Sequence, residues 1–137
     1  FNGVNIMSYQ KNILEATKNN TNFRTVLFTG KKSQLVVMDI KPGEEIGLET
    51  HDNVEQTLFF MTGTAKAILD GQESVVKAGD VVVVTPGTAH NFINTGNESV
   101  KVYTIYTPAN HIDGRIHVTP AEAIADQEDE DFGHHVS

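Results

Sequence analysis

Residues 47–56, GLETHDNVEQ, contain several side chains that can bind a metal ion. Glu49 and His51 lie two positions apart, and Gln56 lies five positions beyond His51. Carboxylates, imidazoles and amide oxygens all bind divalent metal ions in proteins. The chain contains no cysteine, so a metal site must be built from His, carboxylate, amide or water ligands. The segment therefore indicates metal chemistry, provided that the fold turns these side chains to one side.

The elements that must position these side chains are predicted to be β-strands. Short runs rich in β-branched and aromatic residues recur along the chain, separated by Gly, Pro and Asp turn signals. They occupy residues 23–30, 33–40, 57–63, 64–70, 73–80, 81–87, 90–94 and 100–107. Asp70-Gly71, between two of these runs, is a strong signal for a two-residue hairpin. The pattern predicts an all-β sandwich or barrel.

Helices are expected at the two ends of the chain. Residues 8–18, SYQKNILEATK, are compatible with a short N-terminal helix. Residues 119–122, Thr-Pro-Ala-Glu, contain the N-cap, first-turn proline and glutamate of a capping box, which predicts a C-terminal helix. The acidic tail over residues 119–137 is expected to begin with this solvated helix and to run into disorder, with His134 and His135 outside any metal site.

Composition and charge limit the class of protein. A chain of 137 residues, 39% of them hydrophobic, suits a single domain over residues 1–137. The net charge is −8 and no basic stripe is present, so nucleic acid is not an expected partner. No apolar run approaches the roughly 20 residues that span a bilayer, and no signal-peptide pattern occurs. We expect a soluble, cytoplasmic protein without a membrane partner.

Two separate segments of the chain combine turn residues with possible metal ligands. The first, over residues 42–63, reads Pro-Gly, five residues, Glu-Thr-His, four residues, Gln, six residues and Gly. The second, GDVVVVTPGTAH, covers residues 79–90, and Asn94 follows after three more residues. With their strands, the two segments span about residues 23–107, and they resemble the sequence motifs of small single-domain bacterial cupins. The resemblance implies a double-stranded β-helix barrel of the jelly-roll type, with a metal in its mouth.

The resemblance also implies the metal ligands, which are Glu49, His51, Gln56 and His90. In the usual cupin pattern the first motif supplies two histidines and a glutamate, and the second supplies a third histidine. Glu49 and Gln56 depart from that pattern, but one carboxylate is kept, so a bound divalent ion would retain a single positive charge. Amide oxygen is a harder donor than imidazole, which favours manganese or ferrous iron, with zinc or nickel possible.

The third ligand could be either Gln56 or its neighbour Glu55. Successive residues of a strand point to opposite faces, so only one of the two can face inward. Glu55 would be the better ligand by charge. Gln56 is preferred because it keeps the six-residue spacing to Gly63, and because Leu58 continues its inward face.

Residues 111–117, HIDGRIH, allow two interpretations. In the simpler one, Asp113-Gly114 is a turn that reverses the chain after the last strand. In the other, His111 or His117 folds over the mouth of the barrel and carries protons. The sequence does not decide between them.

Two classes of function fit this chain. The first is a metal-dependent enzyme acting on a small oxygenated metabolite, as a dioxygenase, an isomerase or epimerase, or a lyase. The second is a non-catalytic cupin that binds or senses a sugar-like small molecule. The fold hosts many chemistries and does not decide between them. Cupins of this size usually pair, so a homodimer is expected.

Overall fold

The computed structural model describes residues 8–136, which form three helices and nine strands. The helices are α1 (Ile13–Asn19), α2 (Pro120–Ala125) and α3 (Gln127–Val136). The strands are β1 (Arg24–Thr29), β2 (Gln34–Ile40), β3 (Glu55–Thr62), β4 (Thr64–Leu69), β5 (Gln72–Lys77), β6 (Val81–Val84), β7 (His90–Asn94), β8 (Val100–Thr107) and β9 (Ile116–His117). No helix among the described residues is long and apolar enough to cross a membrane.

The strands form two antiparallel sheets that share one hydrophobic core. The larger sheet has the order β6-β3-β8-β2-β1-β9, and the smaller has the order β5-β4-β7. Leu58 and Phe60 of β3 belong to the same buried cluster as Phe92 of β7. The ring centroids of Phe60 and Phe92 lie 5.5 Å apart, which joins the two sheets. The expected β-rich jelly-roll fold is confirmed, although the described strands form two sheets rather than one closed barrel.

Burial alternates along the central strands as the sequence pattern predicts. Every second residue of β8 is buried, from its first residue to its seventh. In β3, Gln56, Leu58 and Phe60 are buried while Glu55 is exposed. Residues two apart share one face of a strand, so Gln56 points into the molecule and Glu55 points out.

The hairpin between β4 and β5 turns at Asp70-Gly71, as expected. Both residues have a positive φ, 49° for Asp70 and 82° for Gly71. A type I′ turn needs positive φ at both central residues, and the Asp-Gly pair is one of the few that adopts it readily. This turn sets the register of the two strands of the smaller sheet.

The helix starts are determined by side-chain caps. α1 begins only at Ile13, because the Asn12 side chain accepts a hydrogen bond from the backbone N–H of Glu15 at 3.0 Å. Residues 8–12 are therefore not helical, and the sequence prediction placed the start too early. At α2, Thr119 accepts from the backbone N–H of Glu122 at 3.2 Å, which confirms the predicted start.

The acidic tail is helical and packed, so the expectation of disorder was wrong. α3 includes His134 and His135, and it buries Asp129 and Gly133 against the body of the protein. A methyl group at Gly133 would lie 3.2 Å from the backbone oxygen of Asn110. The prediction considered the charge of the tail but not the histidines and arginines that α3 faces.

Residues 44–51 run beside β7 without forming a regular strand. Backbone bridges pair Glu45 with Ile93 and Glu49 with His90. The backbone N–H of Ile46 also donates to the oxygen of Phe92 at 3.0 Å. This pairing brings the first sequence motif alongside the start of the second.

Candidate functional site

Glu49 and His90, which come from different sequence motifs, are direct backbone neighbours. The N–H of Glu49 donates to the oxygen of His90 at 3.0 Å, and the N–H of His90 donates to the oxygen of Glu49 at 2.9 Å. The two residues therefore lie directly opposite each other on adjacent antiparallel segments.

His51 completes a cluster of three of the predicted ligands. Its Nε2 lies 3.4 Å from Oε2 of Glu49. Its ring centroid lies 5.8 Å from that of His90. Glu49 and His51 therefore point to the same side, although their segment is extended chain rather than a regular strand.

The tautomer of His90 follows from its surroundings. Its Nδ1 lies 2.9 Å from the backbone oxygen of Thr88. A carbonyl oxygen only accepts, so Nδ1 carries the proton and Nε2 keeps a lone pair. Burial lowers the pKa of His90, and the Thr88 carbonyl and Glu49 oppose this only in part. A neutral imidazole whose other nitrogen donates to a carbonyl is the form that binds metal ions.

Glu49 is ionised in this environment. Burial by itself would raise its pKa, but the hydrogen bond with His51 and the positive charge of Arg24 bring the pKa below its usual value. The cluster therefore contains an anion beside two imidazoles.

Gln56 is buried, and its amide orientation is determined by Thr104. Its Nε2 donates to Oγ1 of Thr104 at 3.1 Å, and that hydroxyl donates to the backbone oxygen of Thr57 at 2.8 Å. The amide nitrogen is thereby occupied, and the amide oxygen remains as the acceptor end. Because Glu55 is exposed, the structure favours Gln56 over Glu55, but its role as a metal ligand stays a prediction.

A cavity of about 660 Å³ opens beside this cluster. Glu49 and His51 line it on the side of residues 43–51, and residues of α2 and α3 line it on the other. Its polar wall includes Arg24, Asn110 and His111.

His111 is fixed to α3 by a buried carboxylate. Its Nδ1 lies 2.8 Å from Oδ2 of Asp129, and the other oxygen of Asp129 accepts from the backbone N–H of Ile112 at 2.7 Å. Burial and the charge of Arg24 lower the pKa of His111 to about 4, despite the opposing effect of Asp129. His111 is therefore neutral at pH 7.

Both ring nitrogens of His117 have hydrogen-bond partners. Nη1 of Arg24 lies 3.2 Å from Nδ1 of His117, and Nε2 of His117 lies 2.8 Å from Oδ2 of Asp126. Of the two histidines in HIDGRIH, only His111 lines the cavity. The turn between them is also present, since the N–H of Arg115 donates to the oxygen of Ile112 at 3.1 Å.

Sequence reasoning missed Arg24, Asp126 and Asp129. Arg24 begins a β-strand and the two aspartates lie in an acidic run, so neither context indicates a buried site. The only available signal was the pair of histidines that these residues contact.

Residues 36–106 match the sequence profile of the Cupin domain family. The chain belongs to the cupin family. This cupin is similar to the uncharacterized protein YrkC of Bacillus subtilis (strain 168), with 46% identity over 121 residues, a match that covers 83% of this chain and 64% of YrkC. The cupin thus spans less than two thirds of the length of that relative.

Solved structures agree with the family assignment. The crystal structure of BH2720 from Bacillus halodurans matches this cupin with a TM-score of 0.85 and 35% identity, over 87% of this chain and 95% of that chain. A predicted oxalate decarboxylase from Thermotoga maritima matches with a TM-score of 0.60 and 23% identity, over 63% of this chain and 79% of that chain. The second likeness shows a shared fold.

The donors of this cupin are compatible with the metal ion that cupins commonly bind. Glu49 is an anion, Nε2 of His90 keeps a lone pair, and His51 lies against both side chains. One carboxylate and two imidazoles are an ordinary first set of ligands for a divalent ion.

A second group of possible ligands is less suitable. His117, Asp126 and Asp129 place ligand atoms within 4.8 Å of one another. Both nitrogens of His117 already have partners, and the Arg24 guanidinium lies beside it. A cation there would have to displace Arg24, so we interpret this group as a buried hydrogen-bond network.

Proposed function

We propose that this cupin binds a divalent metal ion through Glu49, His51, Gln56 and His90, and that it is an enzyme acting on a small oxygenated metabolite. The observation that carries the proposal is the convergence of Glu49, His51 and His90 from two sequence motifs. An ionised carboxylate costs stability in a partly buried site, and a bound cation would offset that cost.

The residues around the cluster have definable roles. Glu49 supplies the negative charge, the Thr88 carbonyl orients His90, and Thr104 orients the Gln56 amide. A divalent ion would supply Lewis-acid chemistry, or redox chemistry if it is iron. The cavity over Glu49 and His51 is large enough for a metabolite of a few carbons and limits its exposure to water.

The ligand set favours manganese or ferrous iron over softer ions. Two of the four proposed donors are oxygens, from Glu49 and Gln56, and oxygen donors suit harder ions. Zinc and nickel remain secondary candidates, since two imidazoles also bind them.

Metal analysis of the purified chain tests the proposal. Protein dialysed against manganese, ferrous, nickel and zinc salts should retain about one ion per chain. Replacement of both His51 and His90 by alanine should abolish retention, whereas His135→Ala should not, because His135 is exposed on α3. Wild-type protein that retains no ion above background would disprove the metal site.

A second candidate is a non-catalytic cupin that binds or senses a small molecule. The cavity favours it, because the wall formed by Arg24, Asn110 and His111 does not depend on the metal ligands. The two candidates separate in one experiment. An enzyme converts a bound metabolite when loaded with metal, and a sensor binds it and returns it unchanged.

A further inference from the structure

The wall of the cavity contains polar atoms whose hydrogen-bonding capacity is not used by the protein. Nε of Arg24, Nε2 of His111 and Oδ1 of Asn110 are buried and have no hydrogen-bond partner among the described residues. All three residues line the cavity. Each buried polar group without a partner lowers the stability of the protein, so three in one wall indicate a site for a ligand.

Arg24 provides the donor. The residue is 5% exposed. Its Nη1 lies 3.2 Å from Nδ1 of His117, and its guanidinium carbon lies 5.2 Å from the centroid of the Phe23 ring. These contacts leave the Nε–H without an acceptor. A carbonyl or carboxylate oxygen would satisfy it.

His111 provides the acceptor. Its residue exposure is 7%, and Asp129 accepts the proton on Nδ1 at 2.8 Å. Nε2 of the neutral ring therefore presents a lone pair, which requires a donor such as a hydroxyl group. The positive charge of Arg24 acts on the pKa of His111, so the two side chains lie within electrostatic reach of each other.

We propose that the cavity binds a small 2-hydroxycarbonyl compound, whose carbonyl or carboxylate oxygen accepts from Arg24 and whose hydroxyl donates to His111. Asn110 accepts from a second hydroxyl where the ligand has one. The proposal rests on the proposed function only in treating this ligand as the substrate of the metal site. The contacts to Arg24 and His111 do not involve the metal.

The charge around the entrance limits the ligand further. Glu44, Glu45 and Glu130 line the cavity, and they oppose the entry of a doubly charged anion. A dicarboxylate such as oxalate also has no hydroxyl and would place an acceptor against Nε2 of His111. The site thus favours a neutral or singly charged hydroxy compound over oxalate.

The unpartnered atoms are almost closed to solvent, so contacts that cover them must loosen before a ligand can reach them. Asp129 and Gly133 hold α3 against residues 110–112. We expect these contacts to loosen as the ligand enters and to close around it afterwards.

Calorimetric titration of metal-free protein with glycolate, acetate and oxalate tests the proposal. Glycolate and acetate have the same charge and differ by one hydroxyl, so wild type should bind glycolate about tenfold tighter. Oxalate should bind no tighter than glycolate. His111→Gln and Arg24→Lys should each weaken glycolate binding about tenfold, and the matched change His135→Gln on the exposed face of α3 should have no effect.

Each outcome has a defined meaning. Equal binding of glycolate and acetate, tighter binding of oxalate, or no binding of glycolate overturns the cavity proposal even if metal is retained. Selective glycolate binding by a protein that retains no metal supports the cavity and refutes the metal site. The ligand series on wild type still decides the matter if a buried variant fails to fold.

Discussion

At the scale of single residues, the site depends on where one carboxylate and one amide stand. Glu49 occupies a position where the cupin pattern usually has histidine, and it is the anion among the proposed ligands. Gln56 stands where the pattern has glutamate, and Thr104 holds its amide. Compared with the usual pattern, the single carboxylate lies at position 49 instead of position 56. Substitutions at Glu49 and at Gln56 test the two positions separately.

Glu49→Gln should weaken manganese binding at least tenfold. Loss of a group that only orients a metal ligand already lowers metal affinity by roughly 10–100-fold. The change removes a negative charge and keeps the shape, so the loss measures charge. Glu49→His should restore part of the affinity and shift preference towards zinc or nickel. Isothermal titration with the four metals measures both effects, and unchanged affinity in Glu49→Gln would remove Glu49 from the ligand set.

Gln56→Ala and Glu55→Ala form a matched pair on neighbouring positions of β3. Gln56 is buried beside Thr104 and Glu55 is exposed, so Gln56→Ala should reduce metal retention strongly and Glu55→Ala should leave it nearly intact. Metal content after dialysis distinguishes them. The reverse order would show that Glu55 is the ligand and that β3 changes register on binding metal.

At the scale of elements, the C-terminal helices close the structure over the cavity. α3 is attached by the Asp129 carboxylate, which binds both His111 and the backbone of Ile112. β9 is attached through Arg24 and His117. Buried ionisable groups therefore determine whether this segment stays docked.

Acidification should destabilise the docked segment. The pKa of His111 is about 4 in the folded protein, against 6.5 for a free imidazole, and the groups that face it are Asp129, Arg24 and Glu49. Between these values the unfolded chain binds more protons, so stability is full above pH 6.5 and falls as the pH drops towards 4. The pKa of Asp129 is also lowered, which extends the loss to lower pH.

Thermal unfolding of wild type and His111→Gln from pH 7 to pH 4 measures this effect. The melting temperature of wild type should fall more steeply than that of the variant, which lacks the titrating ring. Parallel curves would mean that His111 does not contribute. His90, whose pKa is also lowered by burial, contributes to the slope of both proteins.

The turn at Gly63 offers a test of close packing between β3 and β8. A Cβ at Gly63 would lie 2.7 Å from the backbone oxygen of Ser99, and its φ is +81°. Gly71 has a nearly equal φ of +82° but no atom within 4 Å of that position, so it is a matched control. Gly63→Ala should lower the free energy of unfolding by about 1–3 kcal/mol through backbone strain, and the clash should lower it further. Gly71→Ala should lower it through the strain alone. Chemical denaturation that gives equal losses would exclude the clash.

At the scale of the whole molecule, two edge strands carry exposed valines. Val75 lies on β5 with 71% exposure, and Val81 and Val83 lie on β6 with 53% and 50%. β5 and β6 are the edges of their sheets, and an exposed apolar edge favours pairing with another chain.

We therefore predict a homodimer in solution, as expected from the size of the chain. Light scattering at micromolar concentration should give twice the mass of 15.0 kDa. Replacing Val81 and Val83 by lysine should shift the mass towards the monomer, since both side chains point to solvent in the single chain. A monomer mass for wild type would count against the prediction.

The sequence by itself determined the local features of this cupin. Strand alternation predicted that Gln56 faces inward, Asp70-Gly71 predicted a hairpin, and the Thr119 capping box predicted the start of α2. Each of these depends on residues a few positions apart, where periodicity, φ preference and capping act directly. The two spaced motifs likewise indicated the family that the Cupin domain match confirmed.

Only the tertiary structure decided which distant residues meet. The pairing of Glu49 with His90 and the contact between Arg24 and His117, 93 positions apart, depend on how the chain crosses between elements. The sequence predicted disorder in the acidic tail because its negative charges would repel one another in an isolated segment. In the fold, Arg115 and His117 lie 3.0 Å and 2.8 Å from the Asp126 carboxylate, and His111 lies 2.8 Å from the Asp129 carboxylate. The His111–Asp129 pair is buried, which makes that contact stronger than it would be in water.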